Sequence, residues 1–202
     1  CPNGFCEVDG DCDSGQWCDT LAGECIFPKA WHYWAPTVYL DTNETANNPE
    51  VDYFTNADYD GDWVLGNNKD NADSYYKKLH VYYSFVKTDT HWYLGYHFYF
   101  PERWSVFGAL GNQYENLIRS VLLVVRQDGG FGVLEAMETS TENSLYRYVT
   151  EDSEISGLVV DGTIITENSS GHARPVVFID DQTHNIRGDY DWIDDGFPGD
   201  NG

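Results

Sequence analysis

The chain is poor in positive charge. It carries 11 Lys and Arg against 34 Asp and Glu, a formal net charge of −23 over 202 residues. Such a surface repels nucleic-acid phosphates and anionic lipid, so no nucleic-acid partner is expected. Long apolar runs are missing as well. No stretch approaches the roughly 20 residues that span a bilayer, which leaves no transmembrane segment. No secretory leader precedes the first cysteine, and the chain reads as a mature form. No cysteine follows Cys25, so most of the chain lacks a thiol nucleophile. The G-x-S-x-G, P-loop and HExxH patterns do not occur. Internal repeats are not visible, and the 3.6-residue period of amphipathic helices is nowhere sustained.

What is present is aromatic and acidic. The chain holds 15 Tyr and 7 Trp within 41% apolar residues, enough to bury a core. All five cysteines, Cys1, Cys6, Cys12, Cys18 and Cys25, fall in the first 25 residues. Close clustering in a short module reads as a disulfide knob from an oxidising compartment. Zinc is the rival reading, but the spacing lacks the CxxC pairs that zinc modules use. Cys1 is left over. It is a lipid-bearing first residue, a bridge to another subunit, or half of a disulfide to sequence upstream. The excess of carboxylates favours hard cations such as Ca²⁺, or serves simply as a solvated coat.

Three segments follow from these patterns. Residues 1–27 form the cysteine-rich knob, residues 31–186 a β domain, and residues 187–202 an acidic extension with spaced aromatics. Strands are expected over 35–40, 78–87, 91–100, 118–126, 131–138, 158–165 and 174–180. Thr88-Asp89-Thr90 and Asp128-Gly129-Gly130 mark hairpin tips. Asp161-Gly162 is a favoured two-residue turn. One or two helical turns fall within 71–79. The sum is an all-β fold, an antiparallel β-sandwich with a small N-terminal disulfide-stapled module.

Candidate sites are few. Asp58, Asp60 and Asp62 alternate around Gly61, as oxygen ligands of Ca²⁺ loops do, but no bidentate Glu stands at the twelfth position. The alternative is an acidic loop. A weaker set of the same kind is Asp9, Asp11 and Asp13. His91, Tyr93, His97 and Tyr99 share one face of a strand, with His80 and Tyr82 opposite. They are metal ligands, a general base, or hydrogen-bonded wall. Asn43 and Asn168 open glycosylation sequons.

Several motifs carry a resemblance: 35–40 (APTVYL), 58–63 (DYDGDW), 81–84 (VYYS), His91-Trp92 through Tyr96, Pro101 with Trp104, 121–126 (VLLVVR) and 132–139 (GVLEAMET). They resemble, in the same order, secreted bacterial and fungal relatives of the vacuolar protein sorting sixty-two domain and, more distantly, the necrosis-inducing (NLP) cytolysins. The resemblance implies a β-sandwich with a polar, metal-binding cleft. At the cleft positions this chain places Phe100 for a His, Glu102 for an Arg, Arg103 for an Asp, Tyr114 for a His, Leu117 for an Asp and Arg119 for a Glu. Glu115 and Asn116 agree with the family pattern. Glu142 stands where a later His is expected, His184 matches the last one, and His91 persists. Phenylalanine and leucine offer no lone pairs, and two arginines oppose a cation. The knob resembles Dickkopf-like modules, which implies Cys6–Cys18 and Cys12–Cys25 bridges.

The sequence therefore points to an exported, non-enzymatic protein of the extracellular space or cell surface. Its role is structural, adhesive or glycan-contacting, including self-association in a filament by strand addition. Two other readings stand beside it. One is a metal-dependent hydrolase or membrane-targeting cytolysin with a relocated site at His91, His97, His184 and Asp60. The other is a carbohydrate-binding module with Trp and Tyr platforms.

Overall fold

A computed structural model describes residues 17–19, 24–26, 30–42, 52–72, 74–103, 114–153, 155–169, 171–181 and 183–189. Near the N-terminus, β1 (Trp17–Asp19) pairs antiparallel with β2 (Glu24–Ile26), and Cys18 stands opposite Cys25. Both cysteines are disulfide-bonded. Their expected partners, Cys6 and Cys12, lie outside the described residues, as does Cys1.

The main domain is a two-sheet sandwich. Its larger sheet runs β4 (Val81–Lys87), β5 (His91–Arg103), β6 (Tyr114–Arg126), β7 (Val133–Ser140), β8 (Leu145–Val149) and β9 (Gly162–Thr163) in sequential order. The smaller is built on β11 (His172–Ile179), which pairs with β10 (Thr166–Ser169), β12 (Ile186–Arg187) and β3 (Thr37–Leu40). Each sheet is mixed rather than purely antiparallel. β3 lies parallel to β11, and β9 parallel to β8.

Period-two alternation decides what is buried. In β5 the inward set is Trp92, Leu94, Tyr96, Phe98 and Phe100; in β6 it is Val121, Leu123 and Val125. Val177, Ile179 and Ile186 complete the core from the smaller sheet. Each such large side chain stabilises the fold by roughly 1.5–3 kcal/mol. A single helical turn, α1 (Ala30–Tyr33), closes one side of this core. Tyr96 donates to Trp31 O at 2.7 Å, and Trp34 Nε1 donates to Phe131 O at 2.7 Å. Tyr33 is stacked between Phe131 and His172, at 3.7 and 4.0 Å.

Two local expectations are corrected. The helical turn is α2 (Asn68–Asn71), following a 3₁₀ turn at Leu65–Asn67, and it ends before the aromatic run of 75–76. Asp161-Gly162 makes no hairpin turn, because Gly162 opens β9. A Cβ at Gly162 would sit 3.2 Å from the Tyr148 ring, so the glycine serves close packing. The Asp128-Gly129-Gly130 tip is present, with Gly129 and Gly130 in the left-handed region at φ 67° and 50°.

Candidate functional site

The expected cleft positions meet at one end of the larger sheet. The register sets Phe98 beside Arg119, Phe100 beside Leu117 and Glu102 beside Glu115. Phe100 and Arg119 are both buried on the inner face. Against them comes the loop 180–185 between β11 and β12. Its shape follows from one carboxylate. Asp180 accepts backbone N–H groups of Thr183, His184 and Asn185, and the Thr183 hydroxyl. These bonds hold His184 at φ 52°, a left-handed conformation that costs a non-glycine residue about 1 kcal/mol.

The result is a plug. The His184 ring stacks on Phe100, centroids 4.1 Å apart and 3° from parallel. Its Nε2 lies 3.0 Å from Glu102 O and its Nδ1 3.3 Å from Asp180 O. Arg119 donates to Thr183 O at 3.2 Å, and Glu142 N–H donates to the Asn185 amide oxygen at 2.8 Å. Burial pushes the His184 pKa down to about 4, and the Arg119 charge adds to the effect, while Asp180 opposes it. Burial favours the neutral imidazole, which can donate to only one of the two backbone carbonyls its nitrogens face, and those carbonyls oppose the shift. Next to it, burial and the charges of Asp41 and Asp180 raise the Asp181 carboxyl to about 6. A stacked ring pair and a guanidinium occupy the place where the resemblance puts a cation. The side chains of Arg103 and Tyr114 lie outside the described set.

The other candidates disperse. His91 and His97 share the outer face of β5, but six strand residues separate them by roughly 20 Å. His184 is on the inner side. One ion with ligand distances near 2 Å cannot be reached by all three. Among the described residues no group of three or more His, Cys, Asp or Glu is placed to hold a metal. Two of the three carboxylates of the 58–62 loop are spent locally, while Asp58 Oδ1 is buried without a hydrogen-bond partner among the described residues. Asp60 accepts the Asn71 amide at 2.7 Å and Asp62 N–H at 3.3 Å. Asp62 accepts Val64 N–H at 2.7 Å and the Asn67 amide at 3.2 Å. Asn168 is exposed on β10, whereas Asn43, Asp9, Asp11 and Asp13 fall outside the described residues.

Three arrangements carried no sequence signal. The Asn68 amide, fully buried, donates to the Tyr99 hydroxyl at 2.5 Å and to Asn116 Oδ1 at 2.9 Å. His91 Nε2 faces Glu135 Oε2 at 3.1 Å, and Arg126 Nε donates to Glu135 Oε1 at 2.6 Å. His97 stands between two hydroxyls, with Nε2 3.0 Å from Ser84 Oγ and Nδ1 2.8 Å from Ser120 Oγ. This last row has the order of a nucleophile, base and orienting group. It lies flat on a sheet, where strand N–H groups lie in the plane of the ladder rather than aiming at an oxyanion above it. Each residue of the row comes from a different strand, so no local motif announces it.

No family model matches the chain, and no curated protein does. Among solved structures, the crystal structure of the non-toxic HaNLP3 protein is similar to it at 18% identity, with a TM-score of 0.39. The match covers 72% of this chain and 65% of that one, less than two-thirds of its length.

Proposed function

We propose that the chain is an exported, non-enzymatic scaffold protein of the extracellular space or cell surface. It acts through its outer surfaces, in a structural, adhesive or glycan-contacting role. The observation that carries this reading is the plug. A protein that used the cleft for a metal would keep open oxygen or nitrogen ligands there. Here the matching histidine is fully buried and stacked on a phenylalanine, beside a buried arginine. In the same reading, Cys6–Cys18 and Cys12–Cys25 bridges staple the knob, and the exposed Asn168 is open to a glycan.

Two measurements on the native protein test it. Metal content by mass spectrometry should show no stoichiometric transition metal. Dye release from neutral and anionic vesicles should stay at the background level. Bound metal at one per chain, or vesicle leakage abolished by His184→Ala or His97→Ala, would restore the hydrolase or cytolysin reading.

A further inference from the structure

Strand β4 is the edge of the larger sheet and pairs only with β5. It is seven residues long, VYYSFVK, and all but Phe85 are exposed. Both faces are open. Val81 and Tyr83 belong to the inner face by register with Phe98 and Tyr96, yet those partners are buried while Tyr83 is 52% exposed. The smaller sheet does not extend beneath β4. The Trp31 indole stacks on Tyr83 at 5.2 Å and meets Phe85 edge-on at 5.9 Å, and of the three inward side chains Phe85 is the one that packs against the core. On the outer face Val86 is 58% exposed.

Two residues before β4, Leu79 joins Val38, Leu40, Thr42, Tyr53 and Phe54 in lining an apolar cleft of about 370 Å³. Val38 and Leu40 belong to β3, which pairs only with β11 and is itself an edge. Exposed edges in monomers are normally blunted by proline, a bulge or a charge within the strand. Between Val81 and Val86, β4 has none of these.

Charge selects the occupant. Lys87 is the last residue of β4 and Lys78 lies three before its first, both exposed and without an ion pair to any described residue, in a chain of net charge −23. Pairing β4 antiparallel with β4 of another copy would bring Lys87 against the Lys78–His80 end of its neighbour. An acidic extended segment fits instead. Residues 189–195, DYDWIDD, alternate carboxylate and aromatic side chains at their start. The residue just before them lies far from β4. Gly188 is packed against Met137 of β7 and Tyr148 of β8. That is three to four strand spacings away, roughly 14–19 Å.

From this geometry we infer that β4 accepts residues 189–195 of a second copy as an added strand. Donor and acceptor lie toward opposite edges of the sheet, so the contact is head-to-tail and grows open chains rather than closed dimers. The inference deepens the scaffold reading by naming its partner, and it fails independently. A bound metal or vesicle leakage would overturn the scaffold reading, whereas a monomer overturns this one.

The test uses the full chain in sedimentation velocity and negative-stain microscopy. At about 50 mM salt, where charges are weakly screened, the chain should form concentration-dependent linear oligomers. A synthetic peptide of residues 188–196 should dissolve them; a scrambled peptide should not. Lys78→Glu with Lys87→Glu disables the acceptor, and Asp191→Lys with Trp192→Ala disables the donor. Each should weaken assembly by about tenfold or more. Mixing the two variants should give one-to-one dimers and nothing larger, since one intact edge meets one intact donor. A wild-type chain that stays monomeric, a wild type that closes into dimers, or variants that assemble as the wild type does would overturn the inference.

Discussion

Strands β4 and β5 are neighbours in one hairpin and are both aromatic, yet they end in opposite states. The inward side chains of β5 are all buried, and at Phe100 they are sealed by His184 from across the sandwich. Two of the three inward side chains of β4, Val81 and Tyr83, carry the same chemistry one strand further out and face water, while Phe85 packs against the core. Aromatic content does not separate a core strand from an edge; coverage by the second sheet does. The closed end has no vacancy for chemistry. The open edge has apolar surface and uncompensated positive charge. The contrast assigns stability to one and contact to the other.

The largest expected effect probes that contrast directly. Phe100→Ala removes a fully buried ring and its stacking partner's support, and should cost about 3–5 kcal/mol. Tyr83→Ala, with half its surface already in water, should cost about 1 kcal/mol or less, chiefly the stack on Trp31. Urea unfolding of both variants measures the difference. Equal losses would mean that the edge is as well packed as the plug, and the comparison would collapse.

Acidity sharpens it next. His184 titrates at about 4 when folded against 6.5 when unfolded. Below 6.5 the unfolded chain takes up a proton that the folded chain refuses. Stability from this group is therefore intact above 6.5 and lost as pH falls toward 4, by roughly 3 kcal/mol at most. Asp181 works the other way. Its folded pKa of about 6 lies above the usual 3.8, so its contribution is present at low pH and lost as pH rises through 6. Asp181→Asn should raise stability at pH 7 by about 1 kcal/mol after allowance for its partial exposure. In that variant the acid-side loss should become steeper, because the opposing group is gone. A flat profile between pH 6.5 and 4 in the Asp181→Asn background would show that His184 protonates freely and that the plug is loose.

How much of this was legible in the sequence depends on what specifies each element. The β5–β6–β7 meander was, because period-two apolar runs and glycine-rich or threonine-flanked tips coincide there. Strand β8 was missed although Tyr146 and Tyr148 alternate in it, since a charged residue interrupts the apolar run. Strands β10 and β12 are legible only through their partner. TENS and a two-residue strand carry no hydrophobic signal, and register with β11 creates them. At the candidate site, the resemblance groups Phe100, Leu117, Arg119, Glu142 and His184, and the fold does gather them. The stacking of His184 on Phe100 depends on a loop shaped by Asp180, and no spacing rule encodes that. The histidine face of β5 was read correctly as a face, but a face is not a site. His91 finds Glu135, His97 finds Ser84 and Ser120, and the two remain apart.

The smallest effect concerns that outer face, where β4 and β5 still touch. Gly95 stands opposite Ser84, and a Cβ added there would lie 2.3 Å from Ser84 Oγ and 3.0 Å from His97 Nε2. The glycine is what allows the serine hydroxyl to reach the imidazole. In Gly95→Ala the Ser84 side chain is exposed and free to rotate, so the clash is relieved by giving up one hydrogen bond worth about 1 kcal/mol. Against this, alanine is favoured over glycine within a strand by about 0.5–1 kcal/mol. The two terms nearly cancel, and the net change in stability should stay within about 0.5 kcal/mol. The ring chemical shifts of His97, followed by nuclear magnetic resonance, should move nonetheless, because Nε2 loses its partner while Nδ1 keeps Ser120. A loss of several kcal/mol would instead make the β4–β5 outer face part of the rigid core. The division between a sealed end and a working edge would then have to be drawn one strand further out.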